Sequence, residues 1–442
     1  MPKRYDVVIV GAGPAGLMAA RAAGENGLTV ALIDRKTDIP KIHRSCGGVI
    51  GLNHAVFGQR AAFHDEQNKF TFPVTGFSIP YTGPHRNVYG YHIYSPGGKR
   101  IELGDFPELK KDPLKNRMGV VTSKELLLKG ILEQVRQCKV DIFPNTNICS
   151  VRKTLQGVLA EGSGNYFEGS FLIAADGINS RIASILGFNE NRPFFGTSRD
   201  TSWEIEGTAC PDPEGFIFMI TPKGLFSMLP GAEENNYHVY ALTYSREQTP
   251  AELIRYIMHE DPVFSSWFKQ SKLCKAMSCV VNVYSPLAHP YKDNVLLIGD
   301  ACWRREISNV SALSCGWMAG QAVSLAFNEG NINEHGLQSY LQWYEKYFYA
   351  PYGKAIPSAL EFQDYLSAAE LDYLAELPGR TLPQTMDFLE MVKAIGKTYA
   401  ELMSRISEER PEILEKLIKV REQREADMDK RVRWGFPNVC PT

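Results

Sequence analysis

Six residues near the amino terminus, Gly11-Ala12-Gly13-Pro14-Ala15-Gly16, have the G-x-G-x-x-G spacing of a dinucleotide cradle. The chemistry is pyrophosphate binding: the first glycine permits the tight turn, the second lets backbone approach the phosphates, and the third lets helix and strand pack closely. Asp34 follows at roughly the 20-residue interval at which an acidic side chain accepts hydrogen bonds from an adenosine ribose, and Arg35 beside it is assigned to the same site. Cys46, within Arg44-Ser45-Cys46-Gly47-Gly48, reads either as a proton donor beside a cofactor or as a small packing group. Farther on, Arg304 and Arg305 follow Gly299-Asp300 and read either as charges near the cofactor or as a solvated pair.

The elements that must position these residues are legible from periodicity. Residues 5–10 form an apolar, β-branched run that leads into the glycine turn, a helical pattern over 14–26 and a second run over 29–33, which is a βαβ unit. Another helix is expected over about 122–137, with Thr122 and Glu125 spaced as a capping box. Residues 173–175 end at Asp176-Gly177, and 295–298 end at Gly299-Asp300 before a helical pattern over 311–327. Between about 196 and 290, short runs that alternate aromatic and polar residues imply an antiparallel sheet, interrupted by one helix with Thr249, Pro250 and Glu252 at its start. Most of 333–432 has helical periodicity broken by prolines.

Composition narrows the class. With 44% hydrophobic residues, 22% charged residues and a formal net charge of −2, the chain reads as an ordinary globular protein, without the basic stripe of a nucleic-acid binder. Its nine cysteines show neither a CxxC pair nor a Cys/His cluster, and His43, His85, His92 and His289 lack ligand spacing, so no metal is expected. The dispersed thiols fit a reducing compartment, and the expected location is cytoplasmic. Any lipid contact is expected to be peripheral.

Two further segments distinguish FAD from NAD. Ala175-Asp176-Gly177-Ile178-Asn179-Ser180 and Val295-Leu296-Leu297-Ile298-Gly299-Asp300-Ala301 resemble the ADGxxS and VLLxGDA segments of the FAD-dependent aromatic hydroxylases and their relatives. That resemblance implies FAD, with Asp300 on the ribityl chain and Asp176 in the same site. Within this superfamily the chain resembles the geranylgeranyl reductase family, through Arg44-Ser45-Cys46-Gly47-Gly48, Gly224-Leu225-Phe226-Ser227-Met228-Leu229-Pro230-Gly231 and the carboxy-terminal segments 366–374 and 410–414. The resemblance places Arg44, Cys46 and Gly47 beside the flavin and Phe226 and Met228 on the strand that borders an apolar cavity. The chain departs from the family at Ser227, where tryptophan is usual, in the non-glycine loop after Asp300, where Ile307, Val310 and Ala312 stand, and in lacking the arginine usual near residue 125 unless Arg117 replaces it.

The expected fold is α/β: a glutathione-reductase-like FAD-binding Rossmann domain, an antiparallel β-sheet substrate domain and a helical C-terminal region. The FAD domain is expected over 1–75, 115–195 and 290–332, the substrate domain over 76–114 and 196–289, and the helical region over 333–442. The resemblance implies a reductase that passes hydride from reduced flavin to a carbon-carbon double bond of an apolar prenyl or polyene-like substrate, with Cys46 as the catalytic residue. The alternatives are a monooxygenase that hydroxylates an aromatic and a non-catalytic flavin-binding protein. A single dinucleotide fingerprint implies an external electron donor, with ferredoxin, a quinol and NAD(P)H all left open.

Overall fold

The computed structural model of the chain describes residues 3–52, 60–302, 308–350 and 365–428. Its first sheet is built around β1 (Arg4–Val10), whose Val7, Val8 and Ile9 are fully buried, and it pairs in parallel with β2 (Val30–Ile33) and with the strand Asn165–Ala174. Val140–Phe143 adds outside β2, and Val295–Leu297 joins on the other side of Asn165–Ala174, both in parallel. Strands covered on both faces read as unbroken apolar runs, which is why these segments lack alternation.

Helix α1 (Pro14–Glu25) follows the glycine turn and packs along the long helix Val310–Asn328. Small residues permit the approach: a Cβ on Gly316 would lie 2.0 Å from the Ala15 carbonyl oxygen, and one on Gly320 would lie 2.6 Å from that of Ala19. The long helix is apolar enough to cross a bilayer by length and composition, but Leu313, Cys315, Ala319 and Val323 are fully buried against the first sheet and α1. Its apolarity thus follows from packing inside the protein.

The second sheet has seven strands in the order Lys272–Tyr284, Phe194–Glu206, Asn236–Thr243, Gly224–Pro230, Phe216–Thr221, Tyr91–Tyr94 and Arg100–Leu103. All neighbours are antiparallel except Phe216–Thr221 and Tyr91–Tyr94. One face is covered by the helix Pro250–His259, whose Leu253, Ile254 and Ile257 are buried and whose start is the expected capping box of Thr249 and Glu252. The opposite face looks toward the glycine loop. A separate three-stranded sheet is formed by β3 (Val49–Gly51), Gly119–Thr122 and His85–Val88, with Gly119–Thr122 at its centre and antiparallel to both neighbours.

Beyond residue 365 the described residues hold the helices Ala368–Glu376, Phe388–Glu409 and Pro411–Met428. Ile413 is buried, with Leu414 and Leu417 packed around it, so this apolar stripe serves a helix-helix contact.

One boundary differs from the sequence reading. Thr122 ends a strand and donates its hydroxyl to the Gly48 carbonyl at 2.7 Å, while Ser123 caps the helix Lys124–Arg136 through the Leu126 N–H. Glu125 accepts from the Ile42 N–H at 3.0 Å and therefore does not close the box. The spacing pointed to the right turn, but tertiary partners had taken both side chains.

The helix contact yields a stability test. Gly316→Ala forces its new Cβ onto backbone that has no freedom to yield, so it should cost at least about 2 kcal/mol in urea unfolding and lower Tm by several degrees. Wild-type stability in this variant would show that the two helices are not held as closely as described.

Candidate active site

The glycine turn sets the site. Gly11 has φ +102°, and a Cβ there would lie 2.3 Å from the Ala175 carbonyl oxygen; a Cβ on Gly16 would lie 1.7 Å from that of Gly11. Gly13 is different, with nothing within 4 Å of its Cβ position. Two glycines are thus required by the fold, while the middle one borders open space. Gly13 is also the N-cap of α1, without a side-chain cap or an acidic residue in the first turn, so the free N–H groups and positive dipole end of the helix remain available to an anion.

That space is one end of a cleft of about 390 Å³. Gly13, Pro14 and Ala15 line it, with Arg44, Ser45, Cys46 and Gly47 from the following loop. Asp300 and the first turn of Val310–Asn328, through Ser311 and Ala312, complete its nucleotide side. This second helix start also lacks a side-chain cap and an acidic first-turn residue. The other wall is the second sheet, which contributes Phe216, Ser227, Leu229, Tyr240 and Leu242. A hollow of about 500 Å³ among Gly207, Trp267 and Lys272 is lined by none of the motif residues.

Asp34 is buried at the end of β2, where its carboxylate accepts from the Ala12 N–H at 2.6 Å and from the Lys36 N–H at 2.7 Å. It therefore shapes the loop. Arg35 is exposed. Arg44 and Asp300 form an ion pair at 3.3 Å, each half exposed, and such a pair contributes at most about 1 kcal/mol, so a ligand can separate them at little cost. Gly299 has φ +59° and sits 3.0 Å, by its Cβ position, from the Ala15 side chain.

Gly48 fixes the segment that carries Cys46. With φ +65°, it has its Cβ position 2.1 Å from the Thr122 carbonyl oxygen, and its own carbonyl accepts from both the N–H and the hydroxyl of Thr122. Two residues beyond Thr122, Lys124 begins its helix and brings Nζ to 3.1 Å from Cys46 Sγ. Burial pushes the Cys46 thiol up, but the Lys124 ammonium, a Gly48 backbone hydrogen bond and Arg44 outweigh it and hold it below its ordinary value. Tyr240 is half-buried, with its hydroxyl enclosed near Ser45 and Cys46; burial raises its phenol well above the usual range and keeps it protonated.

Three expectations are corrected. Phe226 and Met228 lie on the opposite face of their strand, buried with Leu253, Ile254 and Ile257 under the covering helix. The period of two exposes Ser227 and Leu229 to the cleft instead. Asp176 also turns away from the cleft: it accepts from the Ser180 hydroxyl at 2.6 Å and the Ile182 N–H at 3.2 Å, and so supports the start of a short helix, while burial raises its carboxyl. Arg117 does not replace the absent arginine, because it is buried in a pair with Asp65 at 2.6 Å and donates to the Phe63 carbonyl. Arg304, Arg305 and Ile307 lie outside the described residues, whereas Val310 is buried and Ala312 lines the cleft. Lys124 was missed, since nothing in its local sequence connects it to a cysteine 78 positions away. Among the described residues no cluster of His, Cys, Asp and Glu could hold a metal.

Residues 5–200 match a family model described as pyridine nucleotide-disulphide oxidoreductase. The chain is 24% identical over 427 residues to digeranylgeranylglycerophospholipid reductase 2 of Methanopyrus kandleri, covering 93% of this chain and 98% of that protein. The chain is an FAD-dependent oxidoreductase, similar over nearly its whole length to this lipid reductase. The digeranylgeranylglycerophospholipid reductase of Methanocaldococcus jannaschii is likewise 24% identical, over 88% of this chain and 94% of its own. A geranylgeranyl bacteriochlorophyll reductase-like structure from Thermoplasma acidophilum shares the fold of this flavoprotein, with TM-score 0.67, 19% identity and coverage of 94% and 99%. So does p-nitrophenol 4-monooxygenase of Pseudomonas putida, with TM-score 0.59, 14% identity and coverage of 96% and 98%.

The glycine geometry separates fold from flavin binding. Gly13→Val should leave the flavoprotein folded, because its Cβ meets nothing, yet lower the flavin-to-protein absorbance ratio at least about tenfold by filling the space the phosphates need. Gly16→Val should lose both flavin and fold. A Gly13→Val protein with full FAD content would remove the loop from the binding site.

Proposed function

We propose that this flavoprotein holds FAD in the glutathione-reductase-like manner and reduces carbon-carbon double bonds of a prenyl-type lipid. The observation that carries the reading is the single cleft in which the glycine loop, the Cys46 segment and the Asp300 turn face Phe216, Leu229 and Leu242 of the second sheet. The end-to-end similarity to the archaeal lipid reductases supports the choice of substrate class.

The free N–H groups at the start of α1 would hold the pyrophosphate, Asp34 the ribose and Asp300 the ribityl chain. The start of the helix Val310–Asn328 would face the negative charge that gathers on a reduced flavin. When bound and reduced, FAD supplies the hydride. The residues of the chain do the rest: Phe216, Leu229 and Leu242 orient an apolar chain and exclude water, and Cys46 delivers a proton. We assign 1–75, 115–195 and 290–332 to the FAD unit, 76–114 and 196–289 to the substrate unit and 333–442 to the helical region. The single glycine fingerprint supports an external donor, which is ferredoxin, a quinol or NAD(P)H; the lipid substrate supports a peripheral membrane contact from the cytoplasmic side.

Anaerobically reduced protein mixed with a digeranylgeranyl glycerophospholipid should reoxidise, and the lipid should gain pairs of hydrogens by mass spectrometry. Reoxidation that requires oxygen and yields a hydroxylated aromatic would assign the chain to the monooxygenases instead. Ser227→Trp should narrow the cleft and raise KM for the lipid several-fold while FAD content stays constant, because only substrate space is lost. An unchanged KM would place the substrate elsewhere.

A further inference from the structure

Cys46 has a partner that the proposed reaction has not used. Lys124 lies at the first position of its helix, lines the same cleft, and its Nζ is 3.1 Å from Sγ. Neither residue is free to wander. The Cys46 side is anchored two residues later, where the Gly48 carbonyl takes two hydrogen bonds from Thr122, and the Lys124 side is anchored two residues after Thr122 by the Ser123 cap. The two anchors meet at one residue pair, so strand, loop and helix together fix the nitrogen-sulfur distance. We propose that Lys124 is a positioning residue for Cys46, which holds its sulfur at the cleft wall and supplies, through that sulfur, the proton that completes double-bond reduction.

The charged and titratable surroundings favour this arrangement. Arg44 lies on the same loop as Cys46 but is paired with Asp300, Tyr240 faces it from the sheet as a neutral hydroxyl, and Asp200 lines the cleft and accepts from the Ser198 hydroxyl. Lys36 adds a like charge near Lys124, and burial holds its own ammonium below its ordinary value. Lys124 and Arg44 thus favour the thiolate form of Cys46 more than an ordinary cysteine does.

The atoms balance as follows. FAD, when bound and reduced, would supply the hydride with its electron pair to one carbon of the double bond. The other carbon takes the proton of the Cys46 S–H as that bond breaks. The S–H forms by transfer of a proton from the Lys124 ammonium to the thiolate, and neutral Lys124 regains its proton from water. Sulfur ends as it began.

This step rests on the reductase reading, but its test does not depend on it. Cys46 alkylation by iodoacetamide, followed by peptide-resolved mass spectrometry across pH, reports the thiolate directly in the purified flavoprotein. Lys124→Met should slow Cys46 alkylation at pH 7 at least about tenfold and move its pH midpoint up, with FAD content retained. Lys124→Arg keeps the charge but cannot release a proton near neutrality, so alkylation should stay within about twofold of wild type while lipid turnover falls at least about tenfold. Unchanged alkylation in Lys124→Met would overturn the pairing. Wild-type turnover in Lys124→Arg would overturn the proton supply. If no variant, wild type included, reduces a lipid while the alkylation shift is present, the pairing stands and the reductase reading fails.

Discussion

The site depends on how closely backbone can approach backbone around the first glycine turn. Gly11 is pressed against the Ala175 carbonyl, Gly16 against Gly11, and Gly316 against Ala15, each at a separation that no side chain permits. These contacts bring together the ends of β1, the strand Asn165–Ala174 and the two helices α1 and Val310–Asn328, which are far apart in sequence. Two helix starts thereby open onto one cleft without acidic residues in their first turns. A pyrophosphate and a reduced flavin both carry negative charge, and this geometry offers each a positive dipole end.

The second wall follows a different rule. In the strand Gly224–Pro230 the period of two sends Phe226 and Met228 under the helix Pro250–His259 and leaves Ser227 and Leu229 to the cleft. Ser227 is paired across the strands with Tyr240, so together with Asp200 the wall carries polar groups among Phe216, Leu229 and Leu242.

Much of the fold was legible in the sequence because it rests on local signals. The glycine spacing, the continuous apolar runs of β1 and Val295–Leu297 and the capping box at Thr249 each state their structure within a few residues. The site was legible only in part. Cys46, Arg44, Gly47 and Asp300 do meet in one cleft. Phe226 and Met228 were misplaced because the aromatic-rich strand does not say which of its faces a helix will cover. Asp176 was misplaced because a carboxylate at a strand end serves a turn as readily as a ligand, and the Ser180 hydroxyl and Ile182 N–H had claimed it. Lys124 carried no signal, since its meaning arises only when the Gly48 clasp brings residues 46 and 124 together.

The central claim is that hydride passes from flavin to substrate carbon in this cleft, and the fate of a label tests it most directly. Flavin reduced in the protein in deuterium oxide, where its transferable hydrogen and the Cys46 proton both equilibrate with solvent, then mixed anaerobically with a digeranylgeranyl glycerophospholipid, should place two deuterium atoms on carbon for each double bond lost. A lipid recovered without deuterium while the flavin becomes oxidised, or an aromatic recovered with an oxygen atom after admission of labelled oxygen, would contradict it.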